Sequence, residues 1–435
     1  MDQGSVTMIR SKIPIVTFML AALPAMATAQ ACPDPAAIAG GAATAEGTVR
    51  FLADDALEGR EAGSAGERCA GEFIADQFRR LGLEPAGADG SYFTEVGLAS
   101  ALNPHAPGGT GRNVVAMLEG RDPALRDQYV IIGAHYDHLG RGGAGSLAGT
   151  DTGQIHNGAD DNASGVAGVL LAAELLTAGE PPARSIVFVA FTGEEMGLLG
   201  SARFVADSSI PPSRMRAMLN LDMVGRLGSD PLIVYGTGTA DEWTQLVEAA
   251  GEGAGVELVL NPEGYGPSDH TSFYARDVPV LHFFTNVHGD YHRPSDDWEK
   301  VDLAGIDKVA RMVVDIARAV ANSEAPLTLV RGAGSPPGRS SEPSGYGAYL
   351  GSVPDFTPVD HGVRLSGVSP GSPAEHAGIA AGDVIVKFGA HEVADLQGLT
   401  DALRAHRPGD VVDVVVLRDG DERTFRVELG SRSSR

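Results

Sequence analysis

Arg184-Ser-Ile-Val-Phe-Val-Ala-Phe-Thr-Gly-Glu-Glu-Met-Gly-Leu-Leu-Gly200 is the stretch from which the rest of the chain can be read. Ile186 to Phe191 is apolar and β-branched without alternation, the pattern of a strand covered on both faces. The run stops at Thr192-Gly193, and Met196 to Val205 reads as the start of a helix. Glu194 and Glu195 therefore fall on the turn at the carboxyl end of a central strand, the edge where open α/β sheets bind ligands. Adjacent carboxylates repel each other. A divalent metal is a natural counter-charge, with one Glu as ligand and the other free to handle a proton. An acidic first turn that complements a helix dipole is the plainer alternative, and only the surrounding sequence decides between them.

Working outward, Thr48 to Leu57 and Gly66 to Leu81 have helical apolar spacing, and Asn113 to Leu118 and Tyr129 to Ala134 read as strands. Val166 to Leu176 is a helix apolar nearly all round and hence buried. Leu219 to Met223, Leu232 to Tyr235 and Val278 to Phe284 are further strands, Trp243 to Ala250 a helix, and Leu303 to Ala321 a closing helix. Strands alternating with helices predict an α/β fold, a mostly parallel central sheet with helices on both faces, over residues 45–322.

Metal-type residues recur at the ends of these strands. His135-Tyr-Asp137 follows Val130-Ile-Ile132, and residues two apart in an extended stretch point the same way. That suits a His ligand whose other ring nitrogen is held by Asp137. Asp160 and Asp161 lie in His156-Asn-Gly-Ala-Asp-Asp-Asn-Ala-Ser-Gly165, a polar loop running into the apolar helix; helix capping accounts for one such residue but not for four. Asp222 interrupts Leu219-Asn-Leu-Asp-Met-Val224, and a carboxylate on a buried strand is expensive unless paired or coordinating. His292 stands in Asp290-Tyr-His-Arg-Pro-Ser-Asp-Asp-Trp298, with His282 and His288 as structural or surface neighbours. Two His and three carboxylates, one of them bridging, form an N/O set that suits two zinc ions with an open position for water. Such a pair about 3.5–4 Å apart polarises a carbonyl and activates a shared water, and the remaining Glu serves as general base and then protonates the leaving amine. Amide hydrolysis follows.

His135-Tyr-Asp, Gly158-Ala-Asp-Asp-Asn-Ala-Ser-Gly, Thr192-Gly-Glu-Glu-Met-Gly-Leu-Leu-Gly-Ser, Leu219-Asn-Leu-Asp-Met and Tyr291-His-Arg-Pro-Ser-Asp resemble, in this order, the motifs of the secreted bacterial di-zinc aminopeptidases (leucyl aminopeptidase and aminopeptidase Y-like zinc exopeptidases). The resemblance covers about residues 45–322. It implies that His135 and Asp222 bind one zinc and Glu195 and His292 the other, with Asp160 bridging. Glu194 is then the general base and Asp137 the acid that orients His135. Ser268-Asp-His270 also matches a recurrent segment of that family and is given no role. The Gly140–Gly153 segment reads as a mobile rim or a plain surface loop. The short Gly97–Arg112 connection leaves no room for an insert domain.

The ends of the chain set its context. Arg10 and Lys12, the apolar run Ile13–Leu23 and the small residues Ala27-Thr-Ala29 read as a signal peptide over residues 1–31, too short in its apolar part for a comfortable membrane span. The protein is thus expected to be exported, periplasmic or secreted, without a transmembrane segment after signal removal. Cys32 and Cys69 are its two cysteines and, in an exported chain, most simply form a disulfide; a lipid-anchored Cys32 is the alternative. The formal net charge of −24 speaks against nucleic acid or anionic membranes as partners. Beyond the peptidase-like unit, residues 323–345 form a linker, with Val330 to Gly345 rich in Gly, Ser, Pro and Arg. Residues 346–432 form a second, small α+β domain with a helix over Leu396–Ala405 and a hairpin at Asp419-Gly420. Ala348-Tyr-Leu-Gly-Ser352 and Val368-Ser-Pro-Gly-Ser-Pro-Ala-Glu-His-Ala-Gly-Ile-Ala-Ala-Gly-Asp-Val-Ile385 resemble the carboxylate-binding loop and core signature of a bacterial-type PDZ domain. The resemblance implies capture of a peptide C-terminus by strand addition; the alternative is a domain that only packs.

Together these readings predict an exported zinc aminopeptidase acting on peptides with a free N-terminus. The rivals are a carboxypeptidase, for which Arg226 and Arg293 could clamp a substrate carboxylate, a glutaminyl cyclase, and a PDZ-centred binding protein with a relic peptidase domain.

Overall fold

The computed structural model describes residues 1, 31–39, 44–98, 109–142, 145–148, 153–333, 348–354, 359, 361–368, 371–394, 398–399, 402–403, 405–418 and 420–430. The expected signal segment lies outside the described residues, apart from its ends.

Helices α1 (Pro35–Ala39), α2 (Ala45–Leu52) and α3 (Ala65–Arg80) precede strands β1 (Glu84–Pro85), β2 (Phe93–Gly97), β3 (Thr110–Leu118) and β4 (Tyr129–His135). There follow α4 (Gly165–Thr177), β5 (Ser185–Phe191), α5 (Leu199–Asp207), β6 (Met215–Leu221), β7 (Leu232–Tyr235), α6 (Trp243–Ala254), β8 (Leu258–Leu260), α7 (His270–Tyr274), β9 (Val280–Phe284) and α8 (Leu303–Asn322). The strands form one sheet in the order β1-β3-β5-β4-β6-β9-β7-β8, with β2 also on β3. Its centre, β5-β4-β6-β9, is parallel throughout, whereas β3 and β7 join antiparallel. The predicted mostly parallel sheet is therefore present, and the four strands expected to carry site residues are its parallel centre.

β5 shows why the sequence lacks alternation. Ile186, Phe188 and Ala190 enter one core, while Val187, Val189 and Phe191 enter the core on the opposite face. All seven residues of the strand are buried, each large one contributing about 1.5–3 kcal/mol. On the first face α4 packs against α8. α8 buries Ile306, Val309, Val313, Ile316 and Val320, and it turns Asp307 and Arg311 outward as an exposed ion pair.

The chain passes from β4 through α4 to β5 on one side, then through α5 to β6 on the other side of β4. This reversal opens a crevice at the carboxyl ends of these strands. The crevice is where the site forms.

Cys32 and Cys69 form a disulfide that ties the segment before α1 to α3 across a sequence separation of 37. Closing a loop of that length stabilises a fold by roughly 2–4 kcal/mol through the unfolded state. The Cys32→Ser/Cys69→Ser variant is expected to melt earlier than the wild type by calorimetry, with unchanged circular dichroism at 25 °C; equal melting would show the tie to be inert.

The described part of the expected linker is held by the α/β domain. Leu329 bridges to Ala240, Thr328 donates from its backbone and hydroxyl to Glu242, Arg331 pairs with Asp277 at 2.6 Å, and the Ala333 amide donates to Tyr274 Oη at 2.8 Å. Residues 325–333 thus lie along the α/β domain, held mostly by backbone groups, which composition does not reveal. Residues 334–345 lie outside the described set.

The small domain is an antiparallel sheet of β10 (Ser352–Pro354), β11 (Val363–Val368), β12 (Val384–Phe388), β14 (Val411–Arg418) and β15 (Asp421–Glu428) in that order, with β13 (His391–Glu392) on β12 and α9 (Pro373–Ala377) after β11. Leu350, Leu365, Ile385, Phe388, Val414, Val416 and Val427 form its core. The β14–β15 pairing runs to Arg418↔Asp421, as a two-residue hairpin requires, and Gly420 has φ +87°. Asp419 is outside the described residues. Of the helix expected over Leu396–Ala405, residues 398–399 and 402–403 are helical, while 396–397, 400–401 and 404 lie outside the described set and Ala405 is already a turn.

Candidate metal centre

His135 ends β4 and is buried. Its Nδ1 donates to the carbonyl of Asp137 at 3.2 Å, which leaves Nε2 directed at Asp222 Oδ1 (3.3 Å) and Asp161 Oδ1 (3.4 Å). The Asp137 carboxylate is farther from the ring, at 3.8 Å, and accepts the Glu194 amide at 3.2 Å. Asp137 therefore fixes the imidazole through its main chain and the Glu194 turn through its side chain. Burial pushes its carboxyl up to about 8, with His135 opposing.

Asp222 follows β6. Its Oδ2 accepts from Ser268 Oγ at 2.7 Å, so that Oδ1 faces His135. His292, which follows β9, donates from Nδ1 to the Gly145 carbonyl at 2.9 Å. Its Nε2 lies 3.1 Å from Asp161 Oδ2 and 3.4 Å from Glu195 Oε2. Gly145 belongs to the segment read as a rim or surface loop; its described part instead aims a ligand-type imidazole.

One expected member is displaced. Asp160 is fully buried, but it is not in this cluster: its Oδ1 accepts the Gly225 amide at 2.7 Å and its Oδ2 faces His288 Nε2 at 3.1 Å. Asp161 stands between the two groups of ligand atoms instead, one oxygen toward His135 and the other toward His292. The reason lies in the backbone. The loop from Ala159 is irregular, with Asp161 at φ −102°, ψ 92°, and neighbouring residues in such a stretch project to different sides. Asp296 fixes the register, its Oδ2 accepting the amides of both Asp160 (2.9 Å) and Asp161 (3.1 Å).

The ligand atoms fall into two overlapping groups, His135–Asp161–Asp222 and His138–Asp161–Glu195, each within 4.8 Å, with His292 beside the second. Imidazole and carboxylate without thiolate fit zinc. The charges are tuned by proximity. Burial raises the Asp161 carboxyl, but His138, His135 and His292 outweigh it and hold it well below the usual range. Burial likewise raises Glu195, and His292 and His138 bring it below its ordinary value. Burial lowers His292, yet Glu195 and Asp161 lift it to about 9. Glu194 behaves oppositely: burial, with repulsion from Glu195, Asp222 and Asp269, pushes it well above the glutamate range against the pull of His135. Two adjacent glutamates thus diverge in this cluster, Glu194 upward and Glu195 downward.

The pocket over this cluster holds about 490 Å³ including its mouth. Met223, Tyr235, Phe284, Val287 and Tyr291 form an apolar wall; Glu194 lines the pocket; no Lys or Arg is among its described lining residues. Arg226, a candidate carboxylate clamp, is engaged elsewhere, with Asp296 at 2.9 Å and Asp290 at 3.4 Å. Arg293 does not line the pocket either. His282 does, stacked on His270 with centroids 4.5 Å apart. Sequence reasoning missed Asp161 as the central carboxylate, and also His138, Asp296 and the Gly145 carbonyl. Asp161 and Asp296 stood inside motifs already singled out without a role there, and His138 left a trace as a second histidine three residues past the end of β4.

A parallel α/β centre with an imidazole–carboxylate cluster in its switch-point crevice places the large domain in the zinc exopeptidase fold class. Residues 113–317 match the model of Peptidase family M28, and residues 350–429 match that of the PDZ domain; the chain therefore carries an M28 peptidase domain followed by a PDZ domain. Among curated proteins it is similar to leupeptin-inactivating enzyme 1 of Streptomyces exfoliatus, 28% identical over 61% of this chain and 59% of that protein. It is also similar to aminopeptidase YwaD of Bacillus subtilis, 27% identical over 51% of this chain and 47% of that protein. The chain thus spans only about half to three-fifths of these relatives' lengths. Among solved structures, an aminopeptidase from Aneurinibacillus sp. strain AM-1 superposes with a TM-score of 0.51 at 21% identity, over 68% of this chain and 98% of that one. A glutaminyl cyclase of Porphyromonas gingivalis gives 0.52 at 20%, over 63% and 97%. At these identities the structural likeness speaks for the fold alone.

Proposed function

We propose that this chain is an exported aminopeptidase that holds two zinc ions and removes N-terminal residues from peptides. His135 and Asp222 would hold one ion, His292 and Glu195 the other, and Asp161, which faces both histidines, would be shared between them. When bound, such a pair polarises the scissile carbonyl and makes a water acidic enough to attack at neutral pH. Glu194, which lines the pocket beside these groups, would take a proton from the attacking water and pass it to the departing amine as the C–N bond breaks. The observation that carries the reading is the pocket's polarity: its charged lining is carboxylate and imidazole, without a described Lys or Arg. With the other carboxylates given to the metals, Glu194 remains to receive a terminal ammonium, and no described Lys or Arg lines the pocket to clamp a terminal carboxylate, which favours the aminopeptidase reading over carboxypeptidase action.

The apolar wall favours an apolar first side chain. Export is supported by the disulfide, which persists in oxidising compartments; among the described residues no helix is long and apolar enough to cross a membrane. In the PDZ domain β10 ends the sheet beside the Ala348–Ser352 loop, an edge open to strand addition by a peptide C-terminus.

The test is zinc analysis of the mature protein beside hydrolysis of aminoacyl reporters. Two zinc ions per chain, cleavage confined to free-amine substrates with apolar first residues, and loss on chelation with recovery on zinc addition are expected. Cleavage of N-blocked peptides, or cyclisation of an N-terminal glutamine with release of ammonia and no peptide hydrolysis, would overturn the reading.

A further inference from the structure

We propose that His138 is a positioning residue for Glu195, fixing that carboxylate for the second zinc ion through a hydrogen bond from Nδ1. The inference rests on the di-zinc reading above. His138 Nδ1 lies 2.8 Å from Glu195 Oε1. A carboxylate only accepts, so Nδ1 carries the proton. The other Glu195 oxygen is the one 3.4 Å from His292 Nε2.

The distances also separate the two imidazoles by role. His292 Nε2 is 3.1 Å from Asp161 Oδ2, whereas His138 Nδ1 is 3.9 Å from the same oxygen. His292 therefore shares the metal position, and His138 stands behind Glu195.

Glu195 needs this support because the bonds that close its turn, from the Gly197 and Leu198 amides to the Glu194 carbonyl and from the Glu194 amide to Asp137, fix the main chain and not the direction of its carboxylate. It sits in an irregular turn between Gly193 at φ +67° and Gly197 at φ +105°, outside both β5 and α5.

His138, in contrast, is anchored. It is buried, its amide donates to the Arg60 carbonyl at 3.2 Å, and it bridges to Glu61. Its ring fills the space beside Gly158, where an added Cβ would meet ring carbon at 2.5 Å. Arg60 is itself fully buried. It donates to the carbonyls of Leu52, Tyr136, Asn157 and Gly158 and so locks together the segments that carry His135, His138 and Asp161. An anchored imidazole thus sets the direction of a carboxylate that stands outside any helix or strand, as groups behind metal ligands commonly do.

Stereochemistry supplies the test. An asparagine amide places its nitrogen near the position of imidazole Nδ1, and a glutamine amide reaches toward Nε2. His138→Asn should keep the bond to Glu195, while His138→Gln and His138→Leu should lose it. Zinc titration against a competing chelator is the readout, with cobalt absorption as a second probe and melting of the metal-free proteins as the folding control.

The wild type is expected to bind two zinc ions. His138→Leu and His138→Gln should weaken one of the two sites by about 10–100-fold, and His138→Asn should stay near the wild type. If His138→Leu does not fold, the Asn and Gln pair decides. Unchanged affinity in all variants overturns the inference, as does an equal loss in all three, which would make His138 a direct ligand. A wild type that binds fewer than two zinc ions overturns the di-zinc reading first, and this inference with it.

Discussion

Glu194→Gln is expected to lower hydrolysis of a free-amine reporter by at least about 10²–10⁴-fold, the range of a lost general base, with two zinc ions still bound. The two halves of this result come from different atoms. The groups proposed to face the metals are His135, Asp161, Asp222, Glu195 and His292, and among the described contacts none of them depends on the Glu194 carboxylate for a hydrogen bond. Glutamine keeps the shape of the turn, and the Glu194 amide still donates to Asp137. What disappears is the proton acceptor. Glu195→Gln should do the reverse, because it removes a ligand and the partner of His138 and His292; zinc content and rate should fall together. Zinc analysis and steady-state rates on both variants check this. Loss of zinc in Glu194→Gln, or a rate near that of the wild type, would remove Glu194 from the role of base.

The sheet was legible because burial on two faces leaves an unmistakable record: Ile186 to Phe191 can be apolar throughout only if both faces are covered. The ends of β4, β5, β6 and β9 were legible for the same reason, since polar residues such as Asp222 stand out where apolar runs stop. The order of strands across the sheet was not, because pairing partners leave no local mark on the sequence. The site was readable wherever a residue's place followed from a strand, as with His135, Glu195 and Asp222. It failed in the irregular loop before α4, where no periodicity says which way a side chain points. The neighbours that aim the ligands were invisible for another reason. The Gly145 carbonyl is a backbone group, and Asp296 acts on Asp160 and Asp161 from more than a hundred residues away. Arg60 is similar: a buried arginine bonded to carbonyls looks, in sequence, like any surface arginine in a turn.

The adjacent pair Asp160 and Asp161 gives the sharpest separation of roles available in this chain. Asp161→Asn should abolish paired zinc binding and reduce hydrolysis by several orders of magnitude. The reason is charge as well as contact. Asp161 lies 3.4 Å from His135 Nε2 and 3.1 Å from His292 Nε2, so it is the carboxylate placed to neutralise both positions at once. An amide in its place offers one weaker oxygen and one nitrogen that cannot ligate. Asp160→Asn should act through structure instead. It weakens the acceptor for the Gly225 amide and for His288, at a cost of about 1–3 kcal/mol for a buried hydrogen-bonded carboxylate. The protein should therefore melt earlier while it retains both zinc ions and most of its rate. The comparison needs only two measurements on each variant, zinc per chain by elemental analysis and the melting temperature, with the rate as a third. If Asp160→Asn instead loses the metal pair and Asp161→Asn keeps it, the bridging role belongs to Asp160 as the sequence motif suggested, and the loop before α4 takes a different course when zinc is bound.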